Sequence, residues 1–338
     1  MAEPMGVGAE VVSPRYVVSI RMTGIGDRLI CLAASWLYAR ATGRTLIADW
    51  RFGFLAPNPN TNGFPLCFTN RGQLAGVPFI GDDTLMQLWL PSPRYPWAWN
   101  IKPPNRWATA RPAKLLETDR QAAVEIIRAN QDRPEPVVIF DTCINDGVVR
   151  FEDAHEFFQA LQPVESVAGA VAAFRREGFG DRLVIGLHIR HGNGGDIMGH
   201  TRFWSSFEEA IARCRRCVAL AREKLGQDAA VFLCTDSSEV QHAVKASVPG
   251  VFTRPKRFRR PGEGELHWHD DAWRSREDTL TEMFLLSQMQ ALIRYPPGSF
   301  FSLYAAVMKP RTQPAPPTLY DLLAGIDPSD PLSPALLL

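Results

Sequence analysis

The sequence predicts an α/β protein made of two doubly wound domains, each with a parallel sheet between layers of helices. A length of 338 residues leaves room for two domains of ordinary size. Strand and helix patterns alternate in both halves of the chain. Gly178, Gly180 and Asp181 cluster between the halves, so we expect an N-terminal domain of residues 1–178 and a C-terminal domain of residues 179–338.

The first half opens with a βαβ pattern. An alternating β-branched run at 16–20 predicts a strand, Gly24-Ile25-Gly26-Asp27 predicts the turn after it, and apolar residues at helical spacing follow. A second apolar run at 45–48 completes the unit. Prolines and tryptophans crowd residues 56–112 and predict long loops there. The remaining elements predicted in this half are a strand at 136–141 and helices within 153–177.

The second half repeats the alternation. The run 183–189 is apolar throughout, as in a strand buried on both faces. A helix is expected from about residue 206, with Ser205 and Glu208 in capping-box spacing. Further strands are predicted at 230–234, 251–253 and 291–293, and further helices at 239–246, at 278–289 and from 299. A short helix is expected at the C-terminus, after a proline-rich stretch.

The charge balance argues against a protein that binds nucleic acid or a membrane surface through its overall charge, since 37 basic and 36 acidic residues give a net charge of +1. Residues 171–260, however, contain 16 basic and 9 acidic residues, a local charge of +7 that predicts an anionic ligand. No apolar run has the roughly 20 residues of a membrane span, and the N-terminus does not resemble a signal peptide. We therefore expect a cytoplasmic protein without stable membrane insertion, whose six cysteines form no disulfide scaffold.

The strongest chemical signal follows the strand at 183–189. The run His188-Ile-Arg-His-Gly-Asn-Gly-Gly-Asp-Ile-Met-Gly-His200 contains three histidines, an arginine and four glycines. Arginine has the planar fork that suits phosphate oxygens, and glycines allow a close approach of the backbone. His188 and His191 lack the helical spacing of a metal site and no carboxylate cluster accompanies them, so the pattern favours phosphate over metal.

Three later segments support an anion site at the carboxyl edge of a sheet. Asp236 ends a strand, where one carboxylate oxygen can cap the next helix while the other orders a loop or holds a ribose. Ser299 precedes the last helix, whose first amides and hydroxyl would bind an anion. Residues 254–260 contain five basic residues in seven. Because the chain has no Asp-x-Asp pair and no P-loop, we expect a diphosphate held by Arg190 and amides, without a metal.

These residues lie in stretches that resemble a known family. The run HIRHGNGGDIMGH resembles the donor-binding motif of the rhizobial nodulation α1,6-fucosyltransferases of glycosyltransferase family 23. Further stretches resemble that family in the same order, namely MTGIGDRL, NTNGFP, WNIKPP, FLCTDS, PKRF and IRYPP. The resemblance runs from about Arg21 to Met308. It implies a GT-B fold with two Rossmann-like domains facing a central cleft, the first on the acceptor side and the second binding the donor.

The resemblance also implies an enzyme and its substrates. It implies a metal-independent, inverting transferase that moves L-fucose from GDP-fucose to O6 of the reducing-end GlcNAc of a chitin oligosaccharide in nodulation. By motif, Arg190 matches the arginine that binds the β-phosphate, and His188 matches the histidine that faces guanine. No cofactor is implied beyond the donor substrate.

Other donor residues are carried over in the same way. The N-terminal glycine turn supplies Gly24, Gly26 and Asp27. Asp236 is the acid of the TD motif, Lys256 lies in the basic stretch, and Ser299 lies at the start of the last predicted helix. Glu282 occupies a position where relatives have Asp, which leaves a longer carboxylate for guanine N1 and N2. Asp196 is the candidate general base, with a structural loop role as its alternative and His191 as the other candidate base.

Two other functions remain open on the sequence. A transferase of the same fold could use another GDP-sugar or acceptor, because the donor motif does not fix the acceptor. A non-catalytic protein could bind a polyanion through the basic run at 254–260. The histidine motif at a strand end counts against the second function, and we expect no nucleic-acid partner.

Overall fold

The computed structural model describes most of the two halves of the chain. The described residues are 14–21, 23–51, 55–58, 61–82, 92–95, 113–141, 148–149, 151–192, 206–260, 263, 272–295, 299–309 and 335–337. Their strands are β1 (Tyr16–Ser19), β2 (Thr45–Ala48), β3 (Gly72–Leu74), β4 (Val77–Ile80), β5 (Arg94–Tyr95), β6 (Val137–Phe140), β7 (Val184–Ile189), β8 (Ala230–Thr235), β9 (Val251–Phe252), β10 (Ala291–Tyr295) and β11 (Ala335–Leu337).

The described helices follow the strands in the alternation that the sequence predicts. They are α1 (Ile25–Thr42), α2 (Ala113–Arg128), α3 (Phe151–Ala160), α4 (Glu165–Phe174), α5 (Phe207–Leu225), α6 (Ser238–Ser247), α7 (Arg276–Leu286) and α8 (Phe300–Met308). A π-helical turn, Arg175–Phe179, extends α4, and a 3₁₀ turn, Ala272–Ser275, leads into α7. No described helix combines the length and apolar composition that crossing a membrane requires.

The strands form two mainly parallel sheets, one in each half. In the described residues the first sheet has the order β3-β4-β2-β1-β6-β5 and the second has the order β11-β10-β7-β8-β9. Among the described strands, only the edge strands β3 and β11 pair antiparallel with their neighbours, one in each sheet. The prediction of two doubly wound halves is confirmed, whereas the domain boundary at residue 178 stays a prediction.

Alternation along β7 determines which side chains face which helices. Ile185, Leu187 and Ile189 join the cluster formed with α5 and α6. Gly186, on the opposite face, allows α7 and the turn after it to approach closely. A Cβ at this position would lie only 2.9 Å from Cγ of Met289. His188 lies on that same opposite face, because side chains in a strand alternate with a period of two.

Helix α8 belongs to the second half in sequence but packs against helices of the first. Its Tyr304 ring stacks on Phe158 of α3 with 4.7 Å between ring centroids. At its C-terminal end the carbonyl oxygen of Val307 lies 2.9 Å from Nδ1 of His155, and Gln159 donates to the carbonyl of Met308. Helix α8 therefore connects the second sheet to the helices of the first half.

Several local predictions were wrong. Part of the segment expected to be loop forms the hairpin β3–β4, whose turn holds Ala75 at φ 45° and Gly76 at φ 76°. Ser206 rather than Ser205 caps α5, because its Oγ accepts from the amide of Glu209 at 3.0 Å. Residues 335–337, at the end expected to be helical, form β11 by pairing with β10.

Replacing Tyr304 with alanine should lower the free energy of unfolding by about 3–5 kcal/mol, the usual loss for truncating a buried aromatic side chain. Tyr304 is 4% exposed. The measurement is denaturant unfolding followed by circular dichroism, with the exposed Lys245→Ala on α6 as the control. A loss no larger than that of the control would contradict the packing role of α8.

Candidate active site

The carboxyl edge of the second sheet brings Arg190 and Asp236 together. Arg190 follows β7 directly, and its backbone amide donates to the carbonyl oxygen of Tyr295 at 2.7 Å. Asp236 follows β8, the neighbouring parallel strand, and its Oδ2 accepts from Arg190 Nη1 at 2.6 Å. The side chains are 15% and 11% exposed, so this is a mostly buried ion pair.

Asp236 also fixes the start of the glycine-rich loop. Its Oδ1 accepts from the amide of His191 at 2.8 Å, and its Oδ2 accepts from the amide of Gly192 at 3.0 Å. Gly192 has φ 79°, a conformation that glycine adopts without strain. Both oxygens of Asp236 and the amides of His191 and Gly192 are therefore hydrogen-bonded to each other. Any loop amide that binds a phosphate would have to belong to residue 193 or a later residue.

The capping role considered for Asp236 is wrong. Helix α6 is capped by Ser237, whose Oγ accepts from the amide of Val240 at 3.4 Å. Burial raises the pKa of Asp236, but Arg190 and the amides of His191 and Gly192 outweigh it and bring the pKa below the ordinary value. The carboxylate is thus ionised and serves to order Arg190 and the loop.

His188 is buried on the face of the sheet covered by α7 and α8. It is 4% exposed, and its ring centroid lies 5.1 Å from that of Phe301 on α8. Its Nδ1 has no hydrogen-bond partner among the described residues. Burial, reinforced by the cations nearby, lowers the pKa of His188 to about 3. The imidazole is therefore neutral at physiological pH, and its buried Nδ1 keeps an unused capacity for a hydrogen bond.

Lys256 and Glu282 form a second buried ion pair on this face. Lys256 Nζ lies 2.8 Å from Glu282 Oε2, and the two side chains are 10% and 6% exposed. Cys234 Sγ donates to the same oxygen at 2.9 Å. Cys234 pairs in register with His188 across β7 and β8, which brings the carboxylate close to the imidazole.

Ser299 lies at the start of α8, as the sequence predicts, and sequence reasoning missed the residue that anchors it. Arg294 Nη2 donates to the carbonyl oxygen of Ser299 at 3.0 Å, and Arg294 Nε donates to Ser302 Oγ at 3.2 Å. Ser299 is 6% exposed and its side chain makes no capping bond to α8. An arginine inside the apolar strand β10 was the available signal for this anchor.

In the first half, the glycine turn Gly24-Ile25-Gly26-Asp27 begins α1, with Gly26 buried and Asp27 half-buried. Sequence reasoning missed Arg28, which is fully buried beneath the turn. Its Nε donates to the carbonyl of Thr23 at 2.9 Å, and its Nη1 donates to that of Trp50 at 3.2 Å. No hydrogen bond between described residues joins this turn to Arg190 or Asp236.

One of the two candidate bases, His191, lies among the described residues. Asp196 lies outside the described residues. His191 is half-buried, and its ring packs edge-on against Phe207 of α5 with 5.9 Å between centroids. Within the described ranges, no group of three or more His, Cys, Asp or Glu side chains has an arrangement that could hold a metal ion.

Comparison with known proteins agrees with the resemblance found in the sequence. The sequence profile of the nodulation protein Z (NodZ) family matches residues 13–315. Nodulation protein Z of Bradyrhizobium diazoefficiens is 36% identical over 298 residues, covering 88% of this chain and 80% of the relative. Nodulation protein Z of Sinorhizobium fredii is 35% identical and is covered over 92% of its length.

Solved structures give the same result. The crystal structure of fucosyltransferase NodZ from Bradyrhizobium superposes with a TM-score of 0.73 at 30% identity, covering 88% of this chain and 95% of that one. A NodZ α1,6-fucosyltransferase soaked with GDP-fucose gives a TM-score of 0.71 at 31% identity, with 88% and 94% covered. The predicted GT-B type of fold is confirmed. On its profile and on its relatives' coverage, the chain belongs to the nodulation protein Z family.

Proposed function

We propose that this chain is a GDP-fucose-dependent α1,6-fucosyltransferase acting on O6 of the reducing-end GlcNAc of a chitin oligosaccharide. The observation that carries the proposal is the buried pair of Arg190 and Asp236 at the carboxyl edge of the second sheet. Ligands of doubly wound folds bind at that edge. Relatives of the same family are named as NodZ α1,6-fucosyltransferases and were crystallised with GDP or soaked with GDP-fucose.

The donor site that we propose lies in the second half. Arg190 binds the β-phosphate, His188 and Glu282 face the guanine, and Ser299 offers the start of α8 to a phosphate. Lys256 and Asp236 belong to the same site, where Asp236 acts by holding Arg190. From the first half, on the acceptor side, Gly24, Gly26 and Asp27 close over the diphosphate.

The proposed reaction is a single displacement with inversion at fucose C1. The bond between C1 and the β-phosphate oxygen breaks as acceptor O6 bonds to C1 from the opposite face. A base takes the O6 proton, and Asp196 is our candidate with His191 as the alternative. Arg190 stabilises the negative charge that develops on the departing GDP. We propose that this step needs no metal and takes place in the cytoplasm.

The polyanion-binding alternative is weakened by how the basic run at 254–260 is used. Arg254 lies 3.2 Å from Asp278, and Lys256 is buried against Glu282. Arg259 lies 3.9 Å from Glu263. Cations already paired with acids in this way attract a nucleic acid less than an exposed basic stripe does. A related transferase with another acceptor stays the stronger alternative.

The reaction itself is tested with labelled sugars. Purified protein in EDTA should transfer fucose from GDP-fucose to chitin oligosaccharides, and glycosidic linkage analysis should show a 1,6 bond at the reducing-end GlcNAc. GDP-mannose and UDP-GlcNAc serve as the control donors. Equal transfer from another donor would contradict the proposed donor, and a different linkage would contradict the proposed acceptor position. A strict metal requirement would contradict the proposed mechanism.

Replacing Arg190 with lysine or alanine should reduce fucose transfer by about a hundredfold or more, the usual loss when one transition-state donor is removed. Lysine keeps the charge but lacks the planar fork. The control is Arg216→Lys at an exposed position on α5, with circular dichroism to confirm folding of every variant. Near-normal turnover in Arg190→Lys would refute the assignment of Arg190.

Native His188 stays neutral down to a pH of about 3, so stability should depend on pH through this residue. Between the ordinary histidine pKa of about 6.5 and the native value, the unfolded chain binds the proton and the native protein does not. Relative to His188→Gln, the wild type should lose up to about 1.4 kcal/mol of stability per pH unit as the pH falls through this range. Denaturant unfolding from pH 7 to pH 4 measures the difference, and parallel curves would exclude a neutral His188.

A further inference from the structure

The ion pair of Lys256 and Glu282 has an uneven pattern of hydrogen bonds. Lys256 Nζ and Cys234 Sγ both donate to Oε2 of Glu282, at 2.8 and 2.9 Å. Oε1 accepts no hydrogen bond from any described residue, although Glu282 is only 5% exposed. Each oxygen of a carboxylate can accept more than one hydrogen bond, so Oε1 keeps its acceptor capacity. The arrangement therefore holds one oxygen in place and leaves the other for a ligand.

The position of this carboxylate relates it to the nucleotide site. Cys234 and His188 stand opposite each other on β8 and β7, two residues before Asp236 and Arg190. Two residues along a strand span about 6.6 Å, so Glu282 lies one step deeper along the sheet than the ion pair assigned to the diphosphate. Nδ1 of His188, also without a partner among the described residues, lies on the same face.

We infer that Lys256 and Cys234 are positioning residues that orient Glu282 so that Oε1 reads the base of the donor nucleotide and selects guanine. This inference rests on the proposed GDP-fucose site. Guanine presents the N1–H and the 2-amino group side by side as donors, and hypoxanthine presents the N1–H alone. Adenine presents an acceptor at N1, which a carboxylate repels.

Burial and charge around the pair agree with this role. Burial lowers the pKa of Lys256, but Glu282 outweighs burial and the pKa lies above its ordinary value. Burial and the charge of Glu282 raise the pKa of Cys234 well above its ordinary value. Lys256 thus stays a cation and Cys234 a thiol, and both act as donors to Oε2 of Glu282.

The competing interpretation is a direct contact between Lys256 and the diphosphate. The two interpretations differ in what they predict for the 2-amino group. If Lys256 positions Glu282, its loss weakens the binding of guanine more than that of hypoxanthine. If Lys256 contacts phosphate, its loss weakens both nucleotides by the same factor, since their diphosphates are identical.

The experiment compares the dissociation constants of GDP and IDP by isothermal titration calorimetry. The proteins are the wild type, Lys256→Met, Lys256→Arg, Cys234→Ala and the exposed control Lys245→Met. We expect the wild type to prefer GDP by about tenfold, as for a hydrogen bond to a charged group. Lys256→Met should reduce that preference at least about fivefold, Lys256→Arg should restore part of it, and Cys234→Ala should reduce it about twofold.

A GDP-to-IDP ratio that Lys256→Met leaves unchanged would overturn the inference, and so would a wild type that binds both nucleotides equally. Because Lys256→Met leaves Glu282 buried without its cation, the double variant Lys256→Met, Glu282→Gln is measured as well. It removes both charges, and it should fold and show the same reduced preference. A wild type that binds neither nucleotide would instead contradict the proposed function.

Discussion

The ordering of Arg190 by Asp236 is the interaction on which the rest of the candidate site depends. Taking one member of a buried ion pair away typically costs about 3–5 kcal/mol, because the remaining charge is left unpaired. Here both charges are satisfied, since Asp236 accepts hydrogen bonds from the guanidinium of Arg190 and from two backbone amides. The ends of two neighbouring strands are thereby fixed relative to each other before any ligand binds, which is the preorganisation that charge stabilisation requires.

Hydrophobic packing supplies the frame in which this interaction is possible. The strand β7 is buried along its whole length, so both faces are covered and its end has little freedom to move. Gly186 brings α7 close to the sheet, and α7 in turn carries Glu282 to the same edge as His188. Close packing of apolar layers thus determines where the polar groups meet.

Patterns within short segments could be predicted from the sequence, and relations between distant segments could not. The strand before Arg190 and the turn at Gly24 follow from local periodicity and glycine placement. The bond of Lys256 with Glu282 joins residues 26 positions apart, and no local pattern encodes it. The hairpin at Ala75 was missed because its strands are short and one contains Pro78. The sequence pattern also did not show which of two adjacent residues caps a helix, since Ser237 and not Asp236 caps α6.

The placement of α8 between the two halves has a mechanical consequence. Helix α8 begins directly after Ser299, beside the proposed donor site, and ends against His155 of the first half. A nine-residue helix is about 13.5 Å long. A rigid rod fixed at both ends transmits displacement from one end to the other. A rotation of one sheet relative to the other would therefore pull on Ser299, which Arg294 holds to the second sheet. The geometry of the proposed phosphate site is in this way tied to the angle between the two halves.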